Sequence, residues 1–140
     1  MGNAINIILD DGLQSYTFSN NDGEVFAEFK FNPADASIVE RYDDVVEVFN
    51  KIDLSKKDED IKDTMRTISD TFKEQFNYLL NRDVSEGLFK VYSPVTIFAN
   101  GDFFAEVILT QVGKIIEKEM NVRLQKKAKK IEKYTKKYMK

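Results

Sequence analysis

The chain contains no cysteine, no histidine and no tryptophan. Without cysteine there is neither a disulfide nor a thiolate metal site. Without histidine the commonest metal ligand and general base is missing, and a serine or threonine nucleophile loses its usual activator. No phosphate cradle of the GxxxxGK[ST] or GxGxxG type occurs. The 24 carboxylates offer no pair that stands out as a general acid and base. No apolar run approaches the roughly 20 residues that cross a bilayer. The opening MGNAINIILDDG has no basic flank before its short apolar run, so it does not read as a signal peptide. Gly2 is a poor acylation signal, because Asn6 stands where a hydroxyl residue is needed. The chemistry excluded leaves a non-enzymatic, cofactor-free protein as the expectation, with the cytoplasm as its natural compartment.

What is present is enough for a folded unit. A length of 140 residues suits one domain with a real core, and a hydrophobic content of 42% argues against disorder. Charge is divided unevenly along the chain. Between Arg123 and Lys140 nine basic residues face Glu132 alone, which gives that segment +8; the total of −3 therefore leaves −11 for the rest. An acidic body carries a basic tail, and such a tail can meet nucleic acid, an acidic partner, or the acidic face of another copy.

The centre of organisation is Glu24 to Ile52. Val25, Ala27, Phe29 and Phe31 alternate with Glu24, Glu28 and Lys30, the pattern of a strand with one buried face. Asn32-Pro33 then changes the period, with Asn32 expected as the helix cap, Pro33 at the first helical position and Asp35 facing the positive helix end. Ile38, Tyr42, Val45, Phe49 and Ile52 recur on one helix face, and this stripe is expected to cover the strand. Upstream, Ala4 to Leu9 and Leu13 to Phe18 read as two more strands. They are joined through Asp10-Asp11-Gly12 and followed by the hairpin signal Asn20-Asn21-Asp22-Gly23, which completes a three-stranded antiparallel meander. Asp10 and Asp11 lack the further spaced ligands of a calcium loop.

Downstream, Asp53 to Lys57 is a polar link. A second amphipathic helix is expected over Asp58 to Arg82, with Ile61, Met65, Ile68, Phe72, Phe76 and Leu79 as its apolar face and Asp58-Glu59-Asp60 at its start. Val84 to Phe89 reads as a helical turn stopped by Gly87, and Lys90 to Ala99, with Ser93-Pro94, as a packed loop or short strand. Asn100-Gly101-Asp102 turns the chain and is expected to cap a last helix. Its face is Phe104, Ile108, Val112, Ile115 and Ile116, with Gly113 marking a close helix–helix contact. The Phe103-Phe104 pair reads as core. The three-to-four spacing continues through Leu124, Ala128, Ile131, Tyr134 or Thr135, and Tyr138. A helix from Phe103 to Lys140 would reach about 57 Å, beyond a domain of this size. The expected fold is therefore α+β: an N-terminal antiparallel β-meander packed on amphipathic helices, with a long C-terminal helix. Residues 1–122 form the domain and 123–140 a basic amphipathic tail.

Three readings of that tail stand side by side. It is a solvated helix end, a protein contact, or a nucleic-acid contact; lysine outnumbers arginine, and the acidic body repels phosphate. The protein-contact reading uses Leu124, Lys127, Ala128, Ile131, Tyr134 and Tyr138, with the lysine stems lying beside the apolar stripe.

The opening INIILDDGLQSYTF, the strand-to-helix segment FKFNPADASIVERY, the stretch LFKVYSPVTIFANGDFFAEVILTQV and the lysine-rich end together resemble phage and prophage tail assembly chaperones of viruses of Gram-positive bacteria. The resemblance covers nearly the whole chain, through order of elements and short phrases. It implies a small β-sheet ahead of a helical body, and a role in the host cytoplasm. That role is to coat the helical tape measure protein, recruit tail tube subunits and self-associate. It also implies that a longer product is made by ribosomal frameshifting in many relatives; Lys126-Lys127, Lys129-Lys130 and Lys136-Lys137 are places where adenine runs would permit it. The alternatives are a structural or adaptor component of the virion tail, and a nucleic-acid-binding regulator working through the basic tail. No membrane partner is expected.

Overall fold

A computed structural model describes residues 2–54 and 60–138, with side chains up to Ile131. The elements are β1 (Gln14–Ser19), β2 (Val25–Phe31), α1 (Ser37–Asn50), α2 (Ile61–Leu80), α3 (Ser85–Leu88) and α4 (Phe104–Tyr138). This is the α+β mixture the sequence predicts, with a smaller sheet. β1 and β2 pair antiparallel from Gln14 opposite Phe31 to Ser19 opposite Val25. Asn20 closes the hairpin by accepting the Asp22 and Glu24 N–H groups on its side-chain oxygen, at 2.9 and 3.0 Å.

The third strand is absent: Ala4 to Leu9 forms no ladder and every residue of it is exposed. Its alternation is real, but the turn after it does not fold it back. Asp10 and Asp11 accept the N–H groups of Gly12 and Leu13, each at 3.0 Å, and Asn32 Nδ2 donates to the Asp11 carbonyl at 2.9 Å. These bonds place Asp11 beside Asn32 at the end of β2.

Asn32 does not cap α1 either. Its side-chain oxygen takes the Ala34 N–H at 2.9 Å, a local turn that competes with helix, and Pro33 is buried within it. The helix starts later, where Asp35 Oδ1 accepts from both the Ser37 N–H and hydroxyl at 3.1 and 2.7 Å. For α2 the cap is Asp60, whose carboxylate accepts from Lys62 N–H. Ile61 is 72% exposed and so drops out of the expected apolar face. Asp58 and Glu59, like Ser55 to Lys57, lie outside the described residues. The helix ends at Leu80 rather than Arg82, because Asn81 turns left-handed at φ 54°.

The expectation that α1 covers the sheet is also corrected. Its neighbours are α2 and α4: the Phe49 ring lies 4.6 Å from Phe72 and 5.9 Å from Phe76, and Tyr42 donates to the Leu109 carbonyl at 3.3 Å. The sheet packs instead on α3 and on the start of α4, where Phe104 is enclosed by Phe18, Phe26, Phe89, Tyr92 and Phe98. Phe103 and Phe104 are both buried, as expected.

Gly87 does not terminate α3. It sits inside the turn, and a Cβ there would collide with the Glu28 carbonyl of β2, so its role is close approach. Gly113 does mark a helix contact: a Cβ there would lie 2.8 Å from Tyr42 Cζ. The cap of α4 is Glu106, whose side chain accepts the Phe103 N–H at 2.9 Å, while Asp102 is engaged by Asn100. Phe104 and Ala105 donate back to the carbonyls of Thr96 and Pro94, which pins the 94–98 loop to the helix start.

Candidate protein-contact surfaces

The 35 residues of α4 divide into two parts of different surroundings. From Phe104 to Ile116 it supplies core: Ile108 and Val112 are fully buried and Leu109 and Ile116 nearly so. Met120 is half-buried, and every residue from Asn121 to Ile131 is exposed. At about 1.5 Å per residue the helix is some 52 Å long.

The sequence-predicted contact residues all fall on this half. Leu124 is 62% exposed and Ile131 53% exposed, with Ala128 exposed between them at helical spacing. Lys127 lies beside them with Arg123, Lys126 and Lys130, and these four cations line a shallow depression of about 230 Å³. Arg123 also pairs with Glu119 one turn earlier at 3.5 Å. Tyr134 and Tyr138 lie in α4, but their side chains are outside the described residues. The helix thus brings an apolar stripe and a basic stripe onto adjacent faces, suited to a partner that is itself amphipathic and acidic.

Sequence reasoning missed a second surface. Tyr16, Phe18 and Phe29 of the sheet and Val107, Gln111 and Ile115 of α4 line a groove of about 380 Å³ along β1. Burial, with the nearby Glu119 carboxylate, pushes the Tyr16 phenol above its ordinary pKa, while Arg123 opposes the shift. A further hollow of about 340 Å³ between α1 and α4 is lined by Tyr42, Gly113, Ile116 and Met120. Burial likewise raises the Tyr42 phenol. Both grooves are apolar and open, and neither gathers nucleophile, base and oxyanion donor in one place.

Among the described residues no group of three or more acidic side chains could hold a metal ion, and no helix is long and apolar enough to cross a membrane. No protein-family model, curated protein or solved structure matches the chain.

Proposed function

We propose that the protein is a non-enzymatic assembly chaperone of the cytoplasm, of the kind that attends phage tail morphogenesis, and that it holds helical protein segments along the second half of α4. The observation that carries this reading is the helix continuing from Asn121 past all core contact, with Leu124, Ala128 and Ile131 in one exposed row beside Arg123, Lys126, Lys127 and Lys130. A helix end that served only to solubilise the domain would have no use for a spaced apolar row. By the resemblance of the sequence, the partners are the tape measure protein and the tail tube subunit.

The test uses the full chain and its Leu124→Asp/Ile131→Asp variant, each mixed with a tape measure protein and, separately, with duplex DNA. Co-elution with the tape measure protein, lost in the variant while the melting temperature stays within about 3 °C, is the expected result; exposed substitutions seldom change stability by more than about 0.5 kcal/mol each. Binding to DNA that falls steeply with salt, with no tape measure complex, would replace this reading by the nucleic-acid one.

A further inference from the structure

We infer that residues Ala4–Leu9 form a donated strand that pairs with the open edge of β1 in a second copy of the chain. Among the described residues the sheet has two strands. One edge of β2 is covered by α3, whose Gly87 lies against the Glu28 carbonyl. The outer edge of β1 carries no backbone partner among the described residues, so alternate N–H and C=O groups along it are unpaired. Beside that edge runs the apolar groove between Tyr16, Phe18 and Phe29 on one wall and Val107 and Ile115 on the other.

The chain's own opening has the complementary form. Ile5, Ile7 and Leu9 are 88, 75 and 79% exposed and fall on one face of an extended segment, while Ala4, Asn6 and Ile8, the last also 88% exposed, fall on the other. Six residues span about 20 Å as a strand, and β1 is also six residues long. Added to β1, such a strand would place the three apolar side chains Ile5, Ile7 and Leu9 over the groove and leave Ala4, Asn6 and Ile8 on the side of Thr17.

The segment makes no pairing with β1 of its own chain. Gly12, at φ 74°, and the bonds from Asp10, Asp11 and Asn32 fix residues 10–13 and hold Asp11 beside the end of β2. A short, fixed hinge next to an exposed apolar strand and an open edge is the geometry of strand exchange between copies. This contact is separate from the α4 surface and does not depend on what that helix binds.

Because the chain has no cysteine, single introduced thiols report the contact cleanly. Chains carrying Asn6→Cys and chains carrying Thr17→Cys are co-expressed, oxidised and run without reductant. The expected product is a mixed, disulfide-linked dimer, with light scattering of the unmodified chain giving at least twice 16.2 kDa. Ile5→Asp/Ile7→Asp should return the mass to one chain and abolish the link, with the body's melting unchanged. A doubly substituted chain that closes its disulfide within one molecule would overturn the proposal in favour of pairing in cis. A monomeric unmodified chain, or a dimer indifferent to Ile5→Asp/Ile7→Asp, would also overturn it. The link should survive Leu124→Asp/Ile131→Asp, so failure here and failure of the chaperone reading are told apart.

Discussion

Replacing Gly113 by alanine sets two effects of opposite sign against each other. Alanine is the better helix former by about 0.8–1 kcal/mol, so in an open stretch of α4 the change would stabilise. Here the new methyl would lie 2.8 Å from Tyr42 Cζ and 3.1 Å from its Cε2, and the hydroxyl is closer still. The tyrosine is half-buried between α1 and α4, and its hydroxyl donates to Leu109 at 3.3 Å, so the ring cannot simply swing aside. Overpacking of this kind costs about 1–3 kcal/mol, and the weakened hydrogen bond adds about 0.5 kcal/mol. The clash wins by about 1–2 kcal/mol. With an unfolding entropy of about 2.1 cal/mol/K per residue, that is a fall of roughly 3–7 °C in melting temperature for a chain of this length. The assay is a double-mutant cycle with Tyr42→Ala, followed by calorimetry. Once the ring is gone, Gly113→Ala should turn stabilising by up to about 1 kcal/mol, a coupling of about 2–3 kcal/mol. Tyr42→Phe should rescue only in part, because Cζ remains. A Gly113→Ala protein that is more stable on its own would refute the packing of α1 against α4 described here.

At Gly87 the opposing atom is the Glu28 carbonyl, a backbone group that no side-chain change can move. Gly87→Ala should therefore cost more, about 3 kcal/mol, and a second change at Glu28 should not restore the melting temperature. The Asp35 carboxyl is held below its ordinary pKa of 3.8, first by the Ser37 hydroxyl and then by Arg41, whose guanidinium also donates to the Leu79 carbonyl. A lowered folded pKa means that this stabilisation is complete above about pH 4 and is lost as pH falls through the folded value. Thermal melts from pH 6 to pH 2 should show wild-type protein more stable than Asp35→Asn at the upper end, with the gap closing below about pH 4; a constant gap would mean the carboxylate charge contributes nothing.

Where burial and period coincide, the fold is legible in the residues alone. Ile38, Val45, Phe72, Phe76, Ile108 and Val112 recur at helical spacing, and each is buried. Such runs constrain many side chains at once, so one competing bond cannot displace them. Element starts depend on single hydrogen bonds, and there the reading fails. Asn32 prefers its own turn to a helix cap, and Glu106 reaches back to the Phe103 N–H at the start of α4, where Asn100-Gly101-Asp102 was expected to cap. Gly87 shows a different limit. A glycine required by an approaching strand and one required by a left-handed turn look alike in sequence.

The site was legible to different degrees at the two ends. The α4 stripe could be read because its spacing persists after the core has been filled. The groove along β1 could not, because it is made by residues some ninety positions apart and depends on a strand that does not fold back. Ala4–Leu9 carries a strand pattern, and every residue of it is exposed.

The charge of the second half of α4 bears on the chaperone proposal independently of the apolar row. Between Arg123 and Tyr138 eight basic residues face Glu132 alone, and four pairs of them stand four residues apart. Each such like-charge pair costs a few tenths of a kcal/mol, and only cations in the last turn recover some of it from the helix dipole. The segment is helical because α4 has already met the cost of nucleation, not because its surface favours helix by itself. An acidic helix laid against it would remove that repulsion while covering Leu124, Ala128 and Ile131. The partner's charge would then set affinity and rate, and the apolar row would set register. Charge alone would leave register free, as on a nucleic-acid backbone; it is the exposed row beside the cations that favours a protein partner.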